Sequence, residues 1–190
     1  EASDPRFGFA RKCDYVSAAA VLIEAAFFEE LGGFDECYAP AFYEDTDLAF
    51  RVREAGRDVV CQPGSTVIHF GGASHGRDVS SGLKRYQISN QKKFRTRWKN
   101  RLAFHYESDS NLEKSAIRLS GPRALVIDAT MLMPDRDAGS LRMFNLIKVL
   151  QEMGFAMTFL PSDLSGASEY VENLQQAGIQ VACLPHVDSV

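Results

Sequence analysis

Ala124-Leu125-Val126-Ile127-Asp128 opens the most regular stretch of this 190-residue chain. It is a short apolar, β-branched run without glycine or proline, the composition of a buried strand. Residues 140–153 then carry apolar side chains at helical spacing and stop at Gly154. A second strand run, 156–160, closes at Pro161. Residues 166–177 read as a helix stopped by Gly178, and 179–184 as a third strand ahead of Pro185. Strand and helix alternating at about 30 residues per unit is the pattern of parallel strands joined by helical crossovers. The fold class is therefore α/β, with a βαβαβ unit over residues 122–190.

Moving toward the N-terminus, residues 106–121 are polar and lack sustained periodicity, and they read as a linker. Residues 1–105 then form a first domain with a different grammar. Residues 16–23 are a small-residue apolar run suited to a buried strand or turn. Residues 24–31 read as a helix ended by Gly32-Gly33, since glycine takes the left-handed stop conformation without strain. Residues 46–55 read as a second helix, with Leu48, Ala49, Val52 and Ala55 at helical spacing before Gly56. Residues 59–62 and 66–70 read as strands around the turn Pro63-Gly64. Residues 83–102 make a long helix with Tyr86, Asn90, Phe94, Trp98 and Leu102 on one face.

Composition places the chain among ordinary globular proteins: 45% of residues are hydrophobic and 24% charged. No apolar stretch approaches the roughly 20 residues of a membrane span, and no secretory leader pattern opens the chain. The chain starts without methionine, in Glu1-Ala2-Ser3, which reads as a piece of something longer. Cys13, Cys37, Cys61 and Cys183 are widely spaced, so buried, reduced thiols in a cytoplasmic protein are expected rather than disulfides or a zinc site. Formal charge is −4 overall, yet Lys84, Arg85, Lys92, Lys93, Arg95, Arg97, Lys99 and Arg101 form a run with no acid between Asp78 and Glu107. Such a helix is either a solvated face or a contact for anionic partners, such as a phosphate-bearing acceptor or the inner face of a membrane. Nucleic acid is not expected, because overall charge and fold pattern both oppose it.

Three sites stand out chemically. Phe42-Tyr43-Glu44-Asp45-Thr46-Asp47 packs three carboxylates into four positions at a helix start. There they either complement the helix dipole or supply a general base at a cleft edge. Val67-Ile68-His69-Phe70-Gly71-Gly72 ends a strand at His69, which is either a structural histidine or a metal ligand. Gly139 and Ser140 begin a helix whose free backbone N–H groups either meet an anion or are simply capped.

The succession of residues 16–23, Phe28-x-x-Leu31-Gly32-Gly33-Phe34-Asp35-Glu36, the Glu44-Asp45-Thr46-Asp47-Leu48 element, Gly56 and Val67-x-His69-x-x-Gly72-x-Ser74 resembles the C-terminal half of a family 2 glycosyltransferase. The likeness is to rhamnosyltransferase-like members and covers about residues 10–105. It implies a partial GT-A-type domain, a nucleotide-diphosphate-sugar donor, a glycan or lipid-linked acceptor, and Mg²⁺ or Mn²⁺. It further implies inverting transfer with Asp45 as base and Glu44 as runner-up, an acceptor pocket shaped by Gly32, Gly33 and Phe34, a substrate contact at Asp47, and a metal or pyrophosphate contact at His69. The family often has Ser-Gly-Ala where this chain has Ser17-Ala18-Ala19, and its nucleotide-binding half has no counterpart here. Residues 122–190, with Pro134-Asp135-x-Asp137-x-Gly139-Ser140, resemble the Rossmann-like opening of a family 4, GT-B glycosyltransferase, which implies a substrate contact at Gly139 and Ser140. Two other classes stay open: a non-catalytic carbohydrate-binding or scaffold remnant, and a Rossmann-type nucleotide-binding protein. The second lacks any G-x-G-x-x-G or G-x-x-x-x-G-K-[ST] motif.

Overall fold

The computed structural model describes residues 8–68, 82–105, 122–166 and 168–184. The chain divides into two compact units. One holds Lys12–Cys61 and Thr66–Ser115, and the other holds Glu1–Arg11, Gln62–Ser65 and Ala116–Val190. The chain is mixed α/β, as its sequence pattern predicts. Among the described residues no helix is long and apolar enough to cross a membrane.

The first unit is mostly helical. A minimal two-stranded sheet pairs β1, Arg11–Lys12, with β2, Val60–Cys61. Helix α1 spans Ala25–Glu30 and ends in a Schellman motif, Gly33 N–H on Phe28 O and Gly32 N–H on Glu29 O, each at 2.9 Å. Gly32 and Gly33 carry the positive φ values, 80° and 67°, that such an ending requires. A single 3₁₀ turn, Glu36–Tyr38, leads to α2, Glu44–Glu54. Another 3₁₀ turn, Gly82–Lys84, opens α3, Arg85–Arg97, followed by α4, Lys99–Leu102. Helix α2 is the centre of this unit. Its Ala49 and Val52 pack with Phe27 and Val59, while Phe50 turns the other way to Tyr38, Phe94 and Trp98.

Several sequence expectations change here. The helix expected over 83–102 is interrupted at Trp98 (φ −100°, ψ 16°), the residue whose indole turns inward. The inward face is otherwise as expected, with Asn90, Phe94 and Trp98 buried. The strands expected over 59–62 and 66–70 reduce to Val60–Cys61, while residues 66–68 have no regular structure and 69–70 lie outside the described residues. Of the two forms expected over residues 16–23 the turn is present, with Ala20 N–H on Ser17 O; Val16 and Ile23 pack partly against the core, while Leu22 is 98% exposed. The two-residue strands leave no adjacent ladder for that run to join. The four cysteines are unbridged, but only Cys183 is buried. Cys37 faces solvent because it sits in the short 3₁₀ turn capped by Asp35.

The second unit carries the three expected strands. β3, Arg123–Asp128, pairs in parallel with β4, Ala156–Pro161, from Arg123 opposite Ala156 to Asp128 opposite Pro161. β4 pairs in parallel with β5, Gln180–Val181. Helices α5, Ala138–Glu152, and α6, Ser168–Gln176, make the crossovers. With strands in sequence order, right-handed crossovers put both helices on one face. Ile147 of α5 and Leu174 of α6 accordingly bury against Met157, Phe159 and Val181. The alternate side chains of β3, Leu125 and Ile127, are 57% and 53% exposed on the opposite face.

This asymmetry predicts unequal mutational costs. Phe159, fully buried, should lose about 3–5 kcal/mol of stability on Phe159→Ala. Leu125→Ala on the open face should cost well under that, measured by denaturant unfolding of the full chain.

Candidate functional site

The site grows from the start of α2. The acid-rich stretch expected to begin a helix does so, with Glu44, Asp45 and Asp47 in the first turn, where carboxylates complement the helix dipole. The residue before it is unusual. Tyr43 occupies the N-cap position at φ 76°, and Phe42 ahead of it lies at φ 75°. Two consecutive bulky aromatic residues in the left-handed region are strained, on the order of 1–3 kcal/mol each. The surrounding structure holds them there. Asn90, fully buried on α3, donates from Nδ2 to Tyr38 O, Ala41 O and Phe42 O at 2.7, 2.9 and 3.1 Å. Lys93 completes the clamp, donating to Asn90 Oδ1 at 3.0 Å and to Cys37 O at 2.7 Å.

Asp47 is the second anchor. Its side chain is 0% exposed. Oδ1 accepts from Trp98 Nε1 at 2.7 Å and Tyr38 Oη at 3.2 Å, and Oδ2 accepts from Arg51 Nε at 2.8 Å. Arg97 Nη1 lies 3.4 Å from Oδ1. Arg51 extends the network, donating to Leu31 O at 2.6 Å and Gly33 O at 2.7 Å. Burial and the neighbouring Asp47 carboxylate push the Tyr38 phenol well above its ordinary range, so it stays protonated and donates. Asp35 is more open. It accepts from Cys37 N–H at 2.9 Å and Arg97 Nη1 at 2.6 Å, and these two bonds, the backbone one foremost, lower its pKa to about 2.

Asp45 and Glu44 sit between these anchors and differ in their surroundings. Asp45 is half-buried and held on both oxygens: Oδ2 accepts from Ala18 N–H at 3.0 Å, and Oδ1 from Thr46 N–H at 2.7 Å and Thr46 Oγ1 at 3.2 Å. Glu44 Oε2 is buried and has no hydrogen-bond partner among the described residues. A carboxylate oxygen closed off from water without a donor is costly, on the order of 1–3 kcal/mol, and can accept a hydrogen bond from a ligand.

The other expected site residues fall as follows. Gly32 and Gly33 form the turn after α1, with Gly33 O engaged by Arg51; Phe34 is 42% exposed, its ring edge-on to Phe28 at 5.4 Å. Asp47, expected to contact substrate, has no exposed surface, and its oxygens are engaged by Trp98, Tyr38 and Arg51. Gly139 and Ser140, expected to contact substrate, begin α5. Asp137 caps that helix, accepting from Ser140 N–H at 2.7 Å and Ser140 Oγ at 2.6 Å, so a ligand anion would displace one carboxylate and be repelled by it. His69 lies outside the described residues. Among the described residues no group of three His, Cys, Asp or Glu side chains is placed to hold a metal ion. Sequence reasoning placed Asn90 on the inward helix face but gave it no role. An amide on an otherwise aromatic stripe was the available signal.

Against this geometry, comparison with known proteins gives a partial likeness. The chain is 35% identical, over 79 residues, to N-acetylglucosaminyl-diphospho-decaprenol L-rhamnosyltransferase of Mycobacterium tuberculosis, in strains CDC 1551 / Oshkosh and ATCC 25618 / H37Rv. The match covers 42% of this chain and 25% of that enzyme. It is also 30% identical over 111 residues to an uncharacterized protein, y4gI, of Sinorhizobium fredii, covering 57% of this chain and 12% of the relative. The chain thus spans a quarter or less of the length of the curated relatives it matches. No family model and no solved structure matches it. At family level, the likeness is to glycosyltransferases.

Two predictions follow from the anchors. Asp47→Ala removes the carboxylate facing Arg51 and leaves a largely buried cation, which should cost about 3–5 kcal/mol by denaturant unfolding. For Asp35, the folded pKa lies below the unfolded value of about 3.9. Its contribution is therefore full above about pH 4 and lost as pH falls toward about 2. Asp35→Asn should flatten the fall in stability over that window, read from unfolding midpoints at successive pH values.

Proposed function

We propose that this chain supplies the acceptor side of an inverting glycosyltransferase that moves a sugar from a nucleotide-diphosphate donor to a glycan or lipid-linked acceptor. The observation that carries this reading is the paired carboxylates Glu44 and Asp45, presented by a strained and clamped loop at the start of α2. The mycobacterial relative is named for rhamnosyl transfer onto a sugar carried by a polyprenyl diphosphate, and that likeness supports the acceptor class. The GT-A assignment of the first unit and the GT-B assignment of the second belong to the same proposal, as does a cation held in part by His69. No step is routed through that cation.

In the proposed reaction the acceptor hydroxyl attacks the anomeric carbon from the face opposite the leaving group. The new C–O bond forms as the bond from the anomeric carbon to the diphosphate oxygen breaks, and the nucleoside diphosphate leaves with that electron pair. The hydroxyl proton passes to a carboxylate, because a neutral hydroxyl is a weak nucleophile. Asp45 is the carboxylate fixed in orientation, by Ala18 N–H and Thr46. Each oxygen of an ionised carboxylate has two acceptor positions, so Asp45 Oδ2 keeps one beyond the bond from Ala18. The unpartnered Oε2 of Glu44 favours that residue as the alternative base.

Asp45→Asn and Glu44→Gln, each in the full-length protein, test the proposal. The variant that removes the base should lower the rate of sugar transfer by about 10²–10⁴ with its fold unchanged. The other should retain activity within about tenfold. Full transfer by both variants would overturn the base assignment. Absence of any nucleotide-sugar-dependent transfer in the unaltered protein would leave the carbohydrate-binding or scaffold reading.

A further inference from the structure

Only part of the basic run is consumed by the fold. Lys93 holds the Cys37 and Asn90 oxygens, Arg97 pairs with Asp35 and Asp47, and Arg101 approaches Glu54 at 3.9 Å. Four further cations lie elsewhere on the helix. Arg85, Lys92, Arg95 and Lys99 are exposed and recur at intervals of seven, three and four residues, with Ile88 filling the gap at three from Arg85 and four from Lys92. Residues at that spacing share one stripe. It is the face opposite buried Asn90 and Phe94. Trp98 and Leu102 keep their bonds to Phe94 O and Trp98 O, so Lys99 continues nearly the same track across the break. Arg85 leans on the Tyr86 ring at 4.9 Å, while Lys92, Arg95 and Lys99 have no ion pair or side-chain hydrogen bond among the described residues.

We infer that this stripe is a docking surface for an anionic lipid bilayer. Its shape decides between ligands. The stripe runs about 21 Å along a convex helix face, at 1.5 Å per residue, so it meets many separated anions and encloses none. It carries an apolar side chain in its midst, since Ile88 is 51% exposed among the cations. An interfacial helix buries such side chains at the headgroup boundary, while its cations stay at the level of the phosphates. A nucleic acid would gain nothing from the exposed apolar side chain of Ile88, since its affinity comes mainly from its phosphate backbone. The inference does not rest on the sugar-transfer reading, because its test measures binding alone.

The experiment is co-sedimentation of the full chain with vesicles of phosphatidylcholine alone and of phosphatidylcholine with an equal part of phosphatidylglycerol. Binding is expected to the second kind only. It should fall steeply as salt shortens the screening length from about 10 Å at 0.1 M to about 3 Å at 1 M. The triple variant K92Q/R95Q/K99Q should weaken it on the order of a hundredfold, about 1 kcal/mol for each cation. Folding of the variant is checked by circular dichroism, and the salt response of the unaltered chain stands as a separate reading. Equal binding to both vesicle types, binding that survives 1 M salt, or undiminished binding by the folded triple variant would each overturn the inference. A duplex oligonucleotide that binds the same stripe more tightly than the phosphatidylglycerol vesicles would overturn it as well.

Discussion

A carboxylate with no exposure to water is the constraint on which the first unit depends. Taking Asp47 out of water costs several kcal/mol even after relaxation, and only well-aimed donors offset that. Its partners come from separate places in the chain: Tyr38 before α2, Arg51 one turn along it, and Trp98 at the end of α3. Each must be in place for the charge to be tolerated. The network therefore specifies a single arrangement of these segments. Arg51 carries that specification onward by binding the carbonyls of Leu31 and Gly33 at the end of α1.

The consequence for chemistry is positional. Glu44 and Asp45 lie within a turn of Asp47 on the same helix, so whatever fixes Asp47 fixes where they stand. On their other side the chain passes through Phe42 and Tyr43 in a conformation bulky residues avoid. Such strain persists where surrounding contacts over-determine it, and here Asn90 supplies them by sharing its two amide N–H groups among three carbonyls. Asn90 is thus a positioning residue for the carboxylates, acting through the loop and not by touching them.

The second unit illustrates a different economy. Its parallel sheet is covered on one face by α5 and α6, and Ile147, Phe159 and Ile179 are completely shut off from solvent. Parallel sheets are ordinarily covered on both faces. Here Leu125 and Ile127 stand open on the far side. The helix start at Gly139 and Ser140, suited in principle to an anion, is closed by the protein's own Asp137, whose pKa those bonds lower. A capped helix end stabilises its own unit and leaves no free N–H for a ligand at Ser140.

What the sequence alone determined were the features set by neighbours along the chain. Helical periodicity, glycine stops, the acid-rich start of α2, the inward stripe of α3 and the alternation of strand and helix after residue 122 all depend on local geometry, and they could be read directly. The resemblance to glycosyltransferases was legible for the same reason, since its motifs are short and contiguous. What only the tertiary structure decided were the partners brought from afar. Asp47 and Asp45 look interchangeable in Glu44-Asp45-Thr46-Asp47, yet Trp98, 51 positions away, buries one, and Ala18, 27 positions away, orients the other. The basic run looked uniform until long-range contacts took up Lys93, Arg97 and Arg101 and left Lys92, Arg95 and Lys99 to solvent. Over residues 16–23 apolar composition marks what can be covered, whereas packing alone covers Val16 and Ile23 in part and leaves Leu22 open.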